Sequence, residues 1–209
     1  FYPSKLKTDL KEKIVFMIQN KPRPNPALVW PMQIVYRKNE FAGYMMPRAS
    51  GITLEYLVDE TVSKNLNQAY QNFSFQHQDH LLNKLKLCYN IATALETFYE
   101  LDYYTIVDLK PLNIIVSEKG KIQIIDLDSI QIVQNNKILY QATAGTPEYS
   151  APEGFDRNRP YSELWDRFIV AIIFYRVLTG IHPFTGSCNG HFSNFNDYAS
   201  KIQHGLFPK

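Results

Sequence analysis

From Ile106 to Ser129 the chain reads IVDLKPLNIIVSEKGKIQIIDLDS. Two β-rich runs, Asn113 to Val116 and Lys121 to Ile125, flank a Glu-Lys-Gly-Lys turn and read as short strands joined tightly at Gly120. Runs this apolar belong in a core, yet Asp108, Asn113 and Asp126 stand at their edges. A hairpin of this size returns the chain beside its start. All three polar side chains can therefore converge at one end of a sheet. Two oxygen ligands suit Mg²⁺, which takes one or two protein carboxylates and completes its shell with phosphate oxygens and water. The remaining acid can orient an attacking hydroxyl.

The rest of the chain supplies a scaffold. Ser4 to Gln19 carries Leu6, Leu10, Ile14, Met17 and Ile18 at helical spacing, and Lys5, Lys7, Lys11 and Lys13 are expected on its solvated face. The prolines of NKPRPNP end this helix. ALVWPMQIVY and FAGYMMPRA then read as a hairpin about the polar turn RKNE. Leu54 to Gln78 is polar and weakly helical. His80 to Leu101 is the best helix, with Leu81, Leu85, Cys88, Ile91, Ala92, Leu95 and Phe98 on its apolar stripe. A turn-rich segment runs to Pro160. Ser162 to Thr179 is apolar nearly all round, which predicts a buried helix capped by Gly180, and Thr185 to Asn196 reads as loop.

Length and composition narrow the class. A chain of 209 residues can build one domain with a real core. A formal net charge of +2 implies no polyanionic partner, so nucleic acid is not expected. The longest apolar run, Phe168 to Tyr175, is too short to span a bilayer. Two cysteines, Cys88 and Cys188, fit a reducing, cytoplasmic setting better than a disulfide framework. The five histidines have no zinc spacing. The chain opens on Phe1 rather than Met, and it is expected to be a piece of a longer protein, truncated at both ends.

Four motifs stand in order. DLKPLN resembles the catalytic loop of eukaryotic-like Ser/Thr protein kinases, and IIDLD stands where that family has its metal-binding Asp-Phe-Gly. GTPEYSAPE resembles the end of the activation segment. WDRFIVAIIFYRVLTGIHPF is similar to the buried helix that follows. Together with AGYMMP and DLDSIQI, these motifs look more like a bacterial-type branch than an animal kinase. The resemblance covers about Ala27 to Phe184.

It implies an α+β, protein-kinase-like fold: residues 1–49 a partial N-lobe with a helix-C-like segment, two strands and hinge, and residues 50–209 a mainly helical C-lobe, incomplete at its C-terminus. It implies Mg²⁺ and ATP, and a protein substrate with a Ser or Thr acceptor. Asp108 would take or orient the acceptor proton, Lys110 would steady the transferring phosphate and Thr146 would shape the acceptor pocket. Asn113 and Asp126 would hold Mg²⁺. Met46 aligns with the gatekeeper, Pro47 would offer only its carbonyl to adenine, Ala49 would donate its N–H and Ile115 would floor the base. Asp166 would brace the catalytic loop, and Glu12 is either the candidate for the helix glutamate that pairs with a strand lysine or one of several exposed charges.

The departures are specific. Ile106-Val107 replace His-Arg, so a phosphorylated activation segment would lack its usual partner there. Leu127-Asp128 replace Phe-Gly. No Gly-rich loop or strand lysine precedes the first helix, so weak ATP binding is expected of these residues alone. The alternatives are a pseudokinase used as a nucleotide-binding or docking module, and a small-molecule kinase, which GTPEYSAPE disfavours.

Overall fold

The first helix, α1, spans Ser4–Gln19. It leads into a two-stranded antiparallel hairpin, β1 (Gln33–Arg37) and β2 (Glu40–Met45). The structure is a computed structural model, which describes residues 4–59, 66–135, 137–143, 145–155 and 161–207. The hairpin starts later than the sequence suggests, because Pro31 cannot donate to a ladder. Residues 27–29 take another role. The Val29 N–H donates to Ile124 O and the Ile124 N–H donates to Ala27 O, so this segment forms a parallel bridge beside a different sheet.

That sheet holds β3 (Ile52–Thr53), β5 (Ile114–Val116) and β6 (Ile122–Ile124), all antiparallel, in the order β3-β5-β6. Between β3 and β5 come α2 (His80–Tyr99) and β4 (Tyr104–Thr105). A second antiparallel sheet runs β4-β7-β8, with β7 at Gln131–Gln134 and β8 at Lys137–Tyr140. The sequence reading treated this region as turns. Four-residue strands closed by Asn135 at φ 52° leave little periodicity to detect. The chain ends with α3 (Glu163–Thr179) and α4 (Tyr198–Gln203), whose N-cap Asp197 accepts from the Ser200 N–H. Among the described residues of Leu54 to Gln78 the helical part is two 3₁₀ turns, Leu54–Leu57 and Gln68–Phe73.

One core cluster joins these elements. It runs from Ile14 and Met17 of α1 through Leu87, Ile91 and Phe98 of α2 to Ile169 and Ile173 of α3 and Ile202 of α4. Three expectations about faces are corrected here. Lys13 is buried, because α1 packs it against the turn carrying Asp128 and not toward water. On α2 the buried positions are Lys84, Leu87, Cys88, Ile91, Ala94, Leu95, Thr97 and Phe98, while Leu81, Leu85 and Ala92 face outward. The stripe is rotated because Lys84 turns inward: its Nζ donates to Leu57 O at 2.8 Å and lies 3.0 Å from the Phe75 ring centroid. Finally, α3 is not buried all round. Leu164, Arg167, Ala171 and Tyr175 lie on an exposed face.

Candidate active site

The loop from Ile106 to Asn113 is set from beneath. Asp166, fully buried on α3, accepts from the Ile106 N–H at 2.7 Å, the Val107 N–H at 2.9 Å and the Tyr99 hydroxyl at 2.6 Å. Burial lifts its carboxyl to about 6, and those three hydrogen bonds act against the lift. Val107 sits at φ 64°, a conformation that a β-branched residue adopts only when its surroundings impose it. The reversal aims Asp108 inward, where it is 4% exposed.

Asp108 closes a triangle. The Thr146 hydroxyl donates to its Oδ1 at 2.6 Å, and Lys110 Nζ donates to its Oδ2 at 2.8 Å and to Thr146 Oγ1 at 2.9 Å. Thr146 is held in turn, since its carbonyl accepts from the Tyr149 N–H and the Ser150 hydroxyl. The loop and the GTPEYSAPE segment thus meet across 36 residues.

Asn113 lies at the end of the 3₁₀ turn Pro111–Asn113. Its Nδ2 donates to Asp108 O at 2.9 Å, and its own carbonyl accepts from the Ile125 N–H at 2.9 Å. That second bond brings Asp126 alongside. Asp126 itself adopts φ 62° and is open to solvent, while Leu127 behind it is buried. The Asp126 carboxyl is raised above the usual range by partial desolvation and by the like charges of Asp128 and Asp108, against the pull of Lys110. Three acids this close favour a cation. With Nδ2 committed, Asn113 keeps its amide oxygen for a ligand. The donor set fits Mg²⁺ held by one carboxylate, one amide and a phosphate. Among the described residues no group of three or more His, Cys, Asp or Glu could hold a metal without such outside oxygens.

The expected adenine residues follow the same sheet. Met46 and Pro47 are exposed on the stretch leaving β2, and Ala49 is half-buried. The Ser50 N–H donates to Gln123 Oε1, and Thr53 pairs with Ile115. The stretch 46–51 therefore crosses the edge of β5 near Ile115. Gly51 lets it pass so closely: a Cβ there would stand 2.1 Å from Val116 O, and its φ is 144°. Glu12 is exposed. It lines a cavity of about 760 Å³ with Asp9, Lys13 and Asp128. Lys13 is lowered to about 8 by burial, with Asp128 pulling it back up, and its Nζ has no hydrogen-bond partner among the described residues.

A groove of about 660 Å³ leads away from Lys110 and Thr146. In its wall Arg176 of α3 donates to both carboxylate oxygens of Glu55, at 3.0 and 3.3 Å, and to the Tyr149 hydroxyl. Sequence reasoning missed this cluster. The signal in the sequence was an arginine, Arg176, in the apolar second half of the helix.

An α+β fold with small sheets thus carries an Asp-Lys-Thr triangle and an adjoining Asn-Asp pair. Residues 45–204 match the protein kinase domain family, and the chain belongs to that family. It is 33% identical over 155 residues to a serine/threonine-protein kinase/receptor of Acanthamoeba polyphaga mimivirus, covering 73% of this chain and 9% of that protein. It is 40% identical over 83 residues to serine/threonine-protein kinase 17A of Oryctolagus cuniculus, covering 38% of this chain and 20% of that protein. Citron rho-interacting kinase of Rattus norvegicus is 33% identical over 108 residues, covering 49% of this chain and 5% of that protein. The chain thus spans a small part of the curated relatives it matches. Among the described residues no helix is long and apolar enough to cross a membrane.

Proposed function

We propose that this chain is the catalytic part of a Ser/Thr protein kinase, transferring the γ-phosphoryl group of ATP to a hydroxyl of a protein substrate. The observation that carries the reading is the Asp108–Lys110–Thr146 triangle. Asp108 holds an acceptor for a hydroxyl proton. Lys110 places a cation beside that acceptor, where charge on a transferring phosphate would lie. Thr146 fixes the approach to Asp108 and borders the groove for the substrate chain. Asn113 and Asp126 are the ligands we assign to Mg²⁺, which when bound neutralises phosphate charge. Met46, Pro47, Ala49 and Ile115 are the residues we assign to the adenine slot. Most of the rate acceleration would come from positioning and charge neutralisation.

In this proposal residues 1–49 form part of an N-lobe and residues 50–209 a C-lobe. A cytoplasmic setting is supported by the free cysteines Cys88 and Cys188. A bacterial-type branch rests on AGYMMP, DLDSIQI and GTPEYSAPE alone. A second reading, a pseudokinase that binds partners without transfer, is favoured by Leu127-Asp128 after Asp126. The deciding experiment is transfer from labelled ATP with Mg²⁺, by the full-length protein, to itself and to a generic Ser/Thr substrate. Transfer that falls by about 10²-fold or more in Asp126→Asn is expected. Intact nucleotide binding without transfer would favour the second reading.

A further inference from the structure

The outward face of α2 carries large, exposed apolar groups. Leu81, Leu82, Leu85 and Tyr89 are 52%, 54%, 48% and 70% exposed. At positions i, i+1, i+4 and i+8 they form one stripe along the helix. A contiguous apolar stripe on a folded surface marks an interaction site far more often than scattered exposed leucines do. Beside it lies a groove of about 440 Å³, on the side of the molecule formed by α2 and the β5–β6 turn.

The groove's chemistry is selective. Its apolar lining residues are Phe73, Leu82, Leu85 and Tyr89, and among the described residues its charged lining is Lys86 and Lys119. Its shape is fixed: Asn90 Nδ2 donates to Gly120 O, tying helix to turn, and Asn83 Nδ2 donates to Asn72 O, tying helix to the 3₁₀ segment.

We propose that this groove docks a short peptide segment of a partner protein, with two or more large aliphatic side chains flanked by Asp or Glu. The aliphatic groups cover Leu82, Leu85 and Tyr89. The acids meet Lys86 and Lys119. The site lies apart from Asp108 and its neighbours, and the proposal does not depend on phosphoryl transfer.

The test is selection of a random dodecapeptide phage library on the full-length protein, with counter-selection on its Leu85→Asp variant. The Kd of the recovered peptide is then read by fluorescence anisotropy. Expected are peptides rich in Leu, Ile or Phe beside Asp or Glu. Their affinity should fall about tenfold or more in Tyr89→Ala and in Lys86→Glu/Lys119→Glu, with unchanged thermal melting. Recovery of neutral or basic peptides, or of none, would overturn the proposal. So would sedimentation showing a self-associated protein that Leu85→Asp dissociates, since the occupant would then be a second copy. Protection of Leu85 by another part of the full-length chain would overturn it as well.

Discussion

Val107 at φ 64° pays a local strain of about 1–3 kcal/mol. The buried Asp166 carboxylate holds that strain in place and so fixes the direction of Asp108. Single polar residues decide much else in this molecule. His182 is buried, stacked on Tyr198 at 4.1 Å, with Nε2 against Glu148 O and Nδ1 accepting from the Phe184 N–H. That pattern needs a neutral ring. Burial lowers its pKa from 6.5 to about 4, with Arg176 and Lys201 adding to the effect and the Glu148 carbonyl opposing it. Between those values the unfolded chain binds more protons than the folded one. Stability should therefore fall as pH drops from about 6.5 toward 4, by about 3 kcal/mol across the window. Urea midpoints at several pH values check this: His182→Phe should flatten the slope, and an identical slope in the variant would refute the assignment. At this scale the sequence was legible where motif context multiplied. Asp108, Lys110 and Thr146, each singled out by its motif, lie within hydrogen-bond distance of one another, a contact that no motif announced. Lys13 and Lys84 were illegible, because a lysine's preference for water is overridden only by contacts far away in sequence, here Asp128 and Leu57.

Elements were legible in proportion to their length. The helix over Ser4–Gln19 was bounded correctly, because apolar spacing and the prolines after it agree. The β5–β6 hairpin announced itself through Gly120 at φ 73°. The β7–β8 hairpin and α4 did not, being four and six residues long. The short β3 matters more than its length suggests, since it carries the chain past β5 beside the expected adenine slot. Gly51→Ala should be costly there. The new Cβ meets backbone, not a movable side chain, and the positive φ adds strain. We expect a loss of about 3 kcal/mol in urea unfolding, together with weaker nucleotide binding. A variant of unchanged stability would mean that this strand passes β5 less closely.

Across the whole molecule, contacts distant in sequence converge on Arg176. It joins Glu55, 121 residues away, to Tyr149, and Tyr149 supports Thr146 beside Asp108. The segment leaving β3 is thereby tied to the wall of the groove. Glu55 is 38% exposed, so the pair is partly screened. Arg176→Met should cost about 1–2 kcal/mol, and it should raise KM for a protein substrate more than KM for ATP. In a double-variant cycle with Glu55→Gln, the combined loss should be smaller than the sum of the separate ones. Additivity would show that the two side chains act independently.

The chain's two tryptophans are both buried, in different surroundings. The Trp30 indole donates to Met17 O and packs against Phe98 and Tyr104. Trp165 lies in the first turn of α3, its ring tilted against Tyr161, with its Nε1 lacking a partner among the described residues. One ring is a hydrogen-bonded fluorophore beneath α1, and the other is an unbonded one at the foot of the helix that carries Asp166. Replacing either by Phe leaves an intrinsic optical gauge of a single region. Loosening of α1 and loosening of α3 can then be watched separately, without a label.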